Sequence, residues 1–188
     1  KDVYKSYETL EKNIKVKDAE DVKLRVKSTH HGPIMNDLIT TIDFENPIAM
    51  SWIYTKLPNK GLDALYQMSH AKNKNDFVKA ASLIHAPGLN MMYGGAQDNI
   101  AWTAAAKLYK LPNNVSTKLI LDGASGENEI VEYLDFSQNP QAHNPPWNYV
   151  YSTNNQPDSI AGVLYPGYYL PEDRAKRVVT LMEPKNDW

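Results

Sequence analysis

The chain has 188 residues, 42% of them hydrophobic, and 20 Lys and Arg against 22 Asp and Glu give a formal net charge of -2. That is room for one domain, or a piece of one, with a real core; the lack of a basic surplus argues against a nucleic-acid partner, and the lack of an acidic run against an acidic tail. Cys 0 excludes a disulfide framework and a thiolate zinc site, and no apolar run approaches the ~20 residues of a membrane helix.

Lys1-Asp2-Val3-Tyr4 is no signal peptide, and with no methionine ahead of it the expectation is a processed or shortened chain. Asn13–Lys17 and Val22–Lys27 each alternate apolar and basic residues around the polar Asp18-Ala19-Glu20-Asp21. This predicts a hairpin with one dry and one wet face, its second strand running on through Ser28-Thr29-His30-His31 to Gly32-Pro33-Ile34. A further strand is expected over Ile48–Tyr54.

Leu62, Leu65, Tyr66 and Met68 recur at helical spacing, as do Phe77, Val78, Ala81 and Ile84 after the cap-forming Asn73-Lys74-Asn75. Pro87-Gly88 ends the second helix. Two strands, Asn90–Gly95 and Asn99–Ala104, follow around an Ala96-Gln97-Asp98 turn. From Leu111 to Trp147 the chain is rich in turn residues, and so long a loop usually packs over something or serves function.

Tyr149-Val150-Tyr151-Ser152-Thr153 reads as a short strand of period two that runs into Asn154-Asn155 and is stopped by Gln156-Pro157. A strand ending in a carboxamide can hold a polarising donor over a reacting atom. Taken alone, Asn-Asn is better read as a turn, because asparagine tolerates the left-handed conformation and bonds its own backbone. A strand over Leu164–Leu170 and a helix from about Pro171 to Met182 complete the chain.

Few residues suggest chemistry of their own. His30-His31, as neighbours on a strand, would face opposite ways and could not chelate together. His70, His85 and His143 lack ligand spacing, and His85 shares a helical face with Phe77, Ala81 and Ile84, as a satisfied, partly buried histidine does. Asp98-Asn99 and Asp122-Gly123 read as turns, since the alternating oxygen ligands of a calcium loop are missing. Ser51, Ser125 and Ser152 have no evident histidine partner, and no phosphate loop or nucleophile elbow is present. No metal and no cofactor are expected.

In the last helix, Ala175, Val178, Val179, Leu181 and Met182 define an apolar face at about 100° per residue. Lys176 and Arg177 point away from it. Arg174 lies along its edge, where an arginine usually has a fixed partner for its planar fork or simply snorkels.

Together these segments resemble the C-terminal (β) chain of the penicillin acylases, members of the N-terminal nucleophile hydrolases. The likeness runs in order through Ser28-Thr29-His30-His31-Gly32-Pro33-Ile34, Met50-Ser51-Trp52, and Asn90–Ile100. It continues with Asn139-Pro140, the Asn154-Asn155-Gln156-Pro157 signature, and Arg174-Ala175-Lys176-Arg177-Val178. The resemblance implies an α+β fold, part of an αββα sandwich of antiparallel sheets with flanking helices. It implies that residues 1–188 are a single interior fragment of the β chain. The nucleophile of the family, an N-terminal serine, would then lie upstream, and Lys1 does not match it.

On this resemblance, Asn154 matches the asparagine whose side-chain amide helps bind the oxyanion, and Arg174 matches the arginine supporting it. The expected partners are a small-molecule N-acyl amide (a β-lactam side chain, an acyl-homoserine lactone or similar) and the remaining acylase segments. Self-association through an uncovered face and a periplasmic or secreted location are also implied. Tyr165 stands near where a carboxylate of the family's calcium site would fall, so no metal is carried over. The reading from another class is a non-catalytic binding or scaffold module using the tyrosine-rich surface, which 12 Tyr and 4 Trp against 3 Phe would furnish.

Overall fold

The structure is a computed structural model that describes residues 4–39, 41, 43–97, 99–158 and 161–183. Two compact units divide the chain, Lys1–Lys56 and Leu57–Trp188. Lys1 and Asp98, both named above, lie outside the described residues.

In the first unit β1 (Glu8–Ile14) and β2 (Val22–Thr29) pair antiparallel, with Leu10 opposite Val26 and Ile14 opposite Val22. The hairpin is as expected, but its first strand begins earlier and ends at Ile14. Asp18, at φ 60, turns the chain within the polar stretch. The sorting into a dry and a wet face is only half realised. Leu10, Ile14, Val22 and Leu24 share one side of the ribbon, yet all four are exposed.

The second strand does not run on to Ile34. It ends at Thr29, turns through His30-His31, and pairs back as β3 (Gly32–Pro33), with Thr29 opposite Gly32. Gly32 makes the return possible: at φ 147 it lies against the Met50 carbonyl, where a Cβ would collide. The two histidine rings, on a turn instead of a strand, come within 3.8 Å between centroids. The argument from opposite strand faces therefore does not apply to them.

The strand expected over Ile48–Tyr54 is reduced to a bridge between Ile34 and Ala49, after which α1 (Ile53–Lys56) begins. The Trp52 carbonyl accepts from both the Thr55 amide and the Thr55 hydroxyl, so local bonds replace a ladder.

The second unit opens with α2 (Gly61–Ser69) and α3 (Lys74–Ala81). Asn73 caps α3, its side-chain oxygen accepting from the Asp76 amide at 2.9 Å. α3 packs on β4 (Leu89–Gly95) and β5 (Asn99–Ala105), which pair antiparallel in full register from Leu89–Ala105 to Gly95–Asn99, and α2 packs against α3. The core between them is built on small residues: Ala64, Ala81 and Ala105 are fully buried with Ile84, and Met68, Leu83, Met91 and Phe136 pack around them. Alanines let the helices sit close to the sheet. The large side chains that signalled α2, namely Leu62, Leu65 and Tyr66, point outward and are exposed.

Three short strands the sequence did not announce lie just before and within the turn-rich stretch. Tyr109–Lys110 (β6) pairs with Glu132–Tyr133 (β7), and Gln141–His143 (β8) adds a third strand to β5. Asn139 locks this crossing. It is 1% exposed, and its Nδ2 donates to the carbonyls of Ala104 and Ala106 at 2.8 and 2.7 Å. Leu164–Leu170 is not a strand, apart from a bridge at Leu170; α4 (Asp173–Met182) follows. Among the described residues, no helix is long and apolar enough to cross a membrane.

Candidate functional site

The segment from Tyr149 to Pro157 is extended but forms no regular strand. It starts after a turn at Asn148 (φ 58) and is interrupted again at Asn154 (φ 64), so a continuous pleat cannot develop. Among the described residues its only bridge is the parallel one between Asn155 and Leu170. The expected strand is thus corrected to a turn centred on Asn154, which the local Asn-Asn chemistry favoured. The tyrosines still share a side, with the rings of Tyr149 and Tyr151 6.1 Å apart. Burial, and then nearby Glu183 and Tyr151, push the Tyr149 hydroxyl above its usual range.

The two carboxamides have different jobs. Asn155 is consumed by the turn: its Oδ1 accepts from the Thr153 amide at 3.3 Å and from the Thr153 hydroxyl at 2.9 Å, and its Nδ2 donates to the Gln156 carbonyl at 3.2 Å. Asn154 is exposed. Its main-chain carbonyl accepts from the Leu170 amide at 2.8 Å, and its Oδ1 accepts from Arg174 at 3.2 Å. A guanidinium carries donors only, so the atom facing it must be the oxygen. The amide orientation follows from that chemistry. Nδ2 of Asn154 is then turned away from Arg174, with no hydrogen-bond partner among the described residues.

Arg174 sits in the first turn of α4. Ala175 is buried and Val178, Val179 and Met182 are half-buried, while Leu181 is 50% exposed and lies off the apolar face assigned to it. Arg174 flanks that face, and its Nη2 donates to both the Thr153 carbonyl and the Asn154 side chain. Its partners are neutral oxygens instead of a carboxylate. Lys176, further round the helix, pairs with Glu172 at 3.5 Å, an exposed contact of a few tenths of a kcal/mol, roughly 0.3–0.5.

Two clefts flank the segment. One of about 460 Å³ lies against α4 and is lined by Tyr151, Asn155, Glu172, Lys176 and Val179 among others. The other, about 420 Å³ and more apolar, is walled by Trp102, Ala142, Trp147, Tyr149 and Tyr151. Trp102 is held there by Asn90, whose side-chain oxygen accepts from the indole N–H at 2.9 Å.

Several of the remaining candidates have structural explanations. Asp122 takes the Ala124 amide at 2.8 Å in a turn, and that bond holds its carboxyl below the usual range. The His85 Nδ1 meets the Pro58 carbonyl at 3.1 Å, as a satisfied histidine should. Ser125 and Ser152 accept from backbone amides two residues on. Ser69 Oγ does lie 3.0 Å from His70 Nδ1, but that nitrogen also faces the Tyr66 carbonyl at 2.8 Å. It must carry the proton to make that bond, so it cannot act as a base toward Ser69. Tyr165 donates its amide to the Tyr169 hydroxyl at 2.9 Å.

The sequence profile of the penicillin amidase family matches residues 1–188. An acyl-homoserine lactone acylase, QuiP, of Pseudomonas fluorescens is 26% identical over 170 residues, 88% of this chain and 20% of the relative. A thermostable penicillin G acylase from Alcaligenes faecalis superposes with a TM-score of 0.75 at 23% identity, covering 96% of this chain and 32% of that one. That likeness shows the fold: antiparallel sheets with helices, of the αββα class. The chain spans about a fifth of the length of the curated relative and a third of the solved one.

Proposed function

Since the chain belongs to the penicillin amidase family, we propose that its residues form one part of an amidohydrolase acting on a linear N-acyl amide, with the nucleophilic serine supplied by segments outside them. In this reading the stretch contributes the oxyanion side of the site. Asn154 Nδ2 is the donor to the developing oxyanion, and Arg174 fixes the amide that carries it. The carrying observation is the divided bonding of Asn154, an exposed residue: its oxygen is anchored by Arg174, and its nitrogen has no hydrogen-bond partner among the described residues. Such a donor is preorganised before substrate arrives, which is what electrostatic stabilisation of a transition state requires.

The substrate class spans penicillin and cephalosporin side chains, N-acyl-homoserine lactones and similar amides. An exported location, periplasmic or secreted, belongs to the same proposal. Residues 1–188 alone should show no amidase turnover, because an oxyanion donor without nucleophile and base has nothing to stabilise. Incubation of the isolated stretch with phenylacetyl and octanoyl p-nitroanilides should release nitroaniline only at the background rate. The longer protein that contains the stretch should hydrolyse at least one of them. Saturable turnover by the isolated stretch that survives repurification would refute the division of labour.

The remaining acylase segments are the natural cover for the exposed apolar side chains within each unit: Leu10, Ile14, Val22 and Leu24 on the ribbon, and Leu62, Leu65 and Tyr66 on α2. Isolated residues 1–188 should therefore bind a hydrophobic dye and self-associate with rising concentration. A dye-negative monomer by light scattering would contradict this.

A further inference from the structure

Asn154 holds a left-handed conformation at φ 64, and the contacts that keep it there do not come from Asn154 alone. On its N-terminal side, the Thr153 carbonyl accepts from Arg174. On its C-terminal side, Asn155 reaches back across it, with one side-chain oxygen taking both the amide and the hydroxyl of Thr153. That oxygen must be Oδ1, since both partners facing it can donate. The Thr153 hydroxyl and the Asn155 carboxamide thus close a clasp over the residue between them. Its far end is tied down by Asn155 Nδ2 on the Gln156 carbonyl.

We propose that Thr153 is a positioning residue for this reaction, acting through its hydroxyl on the clasp that sets the direction of the Asn154 amide. The inference rests on the reading of Asn154 as the oxyanion donor and goes beyond it in assigning a role to a second side chain, one that acts through its neighbours. Arg174 holds both the Thr153 carbonyl and the Asn154 Oδ1 through a single nitrogen. A shift of residue 153 therefore moves the anchor of residue 154 with it. Loss of the hydroxyl leaves Asn155 with the longer of its two bonds to residue 153, so the turn loosens where the donor must be aimed.

The test uses the full-length acylase containing this segment, with steady-state kinetics on phenylacetyl and octanoyl p-nitroanilides. Thr153→Val keeps the shape and removes the donor. It should lower kcat about 10-fold, roughly 1.4 kcal/mol, with KM within about two-fold. Thr153→Ser, which restores the hydroxyl, should recover most of the loss. In the double variant with Asn154→Ala, the Thr153→Val effect should vanish, because it acts through the amide already removed. If Asn154→Ala is impaired while Thr153→Val matches the parent, the clasp is refuted and the donor assignment stands. An undiminished Thr153→Val effect in the double variant also refutes it. If Asn154→Ala is itself silent, the underlying assignment fails and the clasp with it. Should Thr153→Val fold poorly, Thr153→Ser against Thr153→Ala carries the same comparison: equal kcat in those two overturns the proposal.

Discussion

Asn154→Ala in the complete acylase is expected to lower kcat by about 10²–10³, or about 2.7–4 kcal/mol, with far less change in KM. The asymmetry follows from when the bond strengthens. A carbonyl oxygen in the bound substrate is a modest acceptor, and in the tetrahedral intermediate it carries a full charge. A donor aimed at the second state stabilises it more than the first. Asn154→Asp should be worse still. Beside Arg174 the new carboxylate would be ionised, and the oxygen standing in place of Nδ2 would repel the developing negative charge. Asn155→Ala is the comparison, since the Asn155 amide is spent on Thr153 and Gln156. It should lower the melting temperature and reduce kcat less than Asn154→Ala does. Steady-state kinetics and thermal melts of the three variants decide it. If Asn155→Ala abolishes turnover while Asn154→Ala leaves kcat intact, the donor is the neighbouring residue.

Arg174→Ala should reduce kcat by about 10–100-fold, the scale of losing a charged donor to neutral acceptors at about 1.5–3 kcal/mol. Arg174→Lys should fall between that variant and the parent. Lysine keeps the charge, but its rotating ammonium lacks the planar geometry through which Nη2 serves the Thr153 carbonyl and the Asn154 side chain together. Arg177→Lys, on the solvent side of α4, should be kinetically silent. Equal losses at positions 174 and 177, measured side by side, would show that net charge on the helix matters and the contact to Asn154 does not.

The hairpin of β4 and β5 was legible because its two strands are neighbours in sequence, separated only by a short turn. The two helices before it were legible by period, but their inward faces were not. Large apolar residues dominate any periodic reading, whereas the buried positions of the two helices are Ala64, Ala80 and Ala81, and Leu62 and Tyr66 are exposed. Strands of two and three residues such as β6, β7 and β8 leave no periodic trace; they exist because distant segments dock there. At the site, the Asn-Asn turn was written locally. The partner of Arg174 was not, since it lies 20 residues back across a loop. Thr153 was passed over although its signal was present: a hydroxyl two residues before an asparagine is a known way to close a turn.

The φ of 64 at Asn154 also bears on how sequence space around the site can be explored. Most side chains resist that conformation by roughly 1–2 kcal/mol, so a full set of substitutions at 154 mixes two losses, of the amide and of the backbone. Glycine separates them, because it removes the amide and accepts the conformation without strain. A saturation library here should therefore rank glycine above alanine in soluble yield while leaving both equally poor in turnover. Selections that reward expression would enrich glycine, and selections that reward catalysis would return only asparagine.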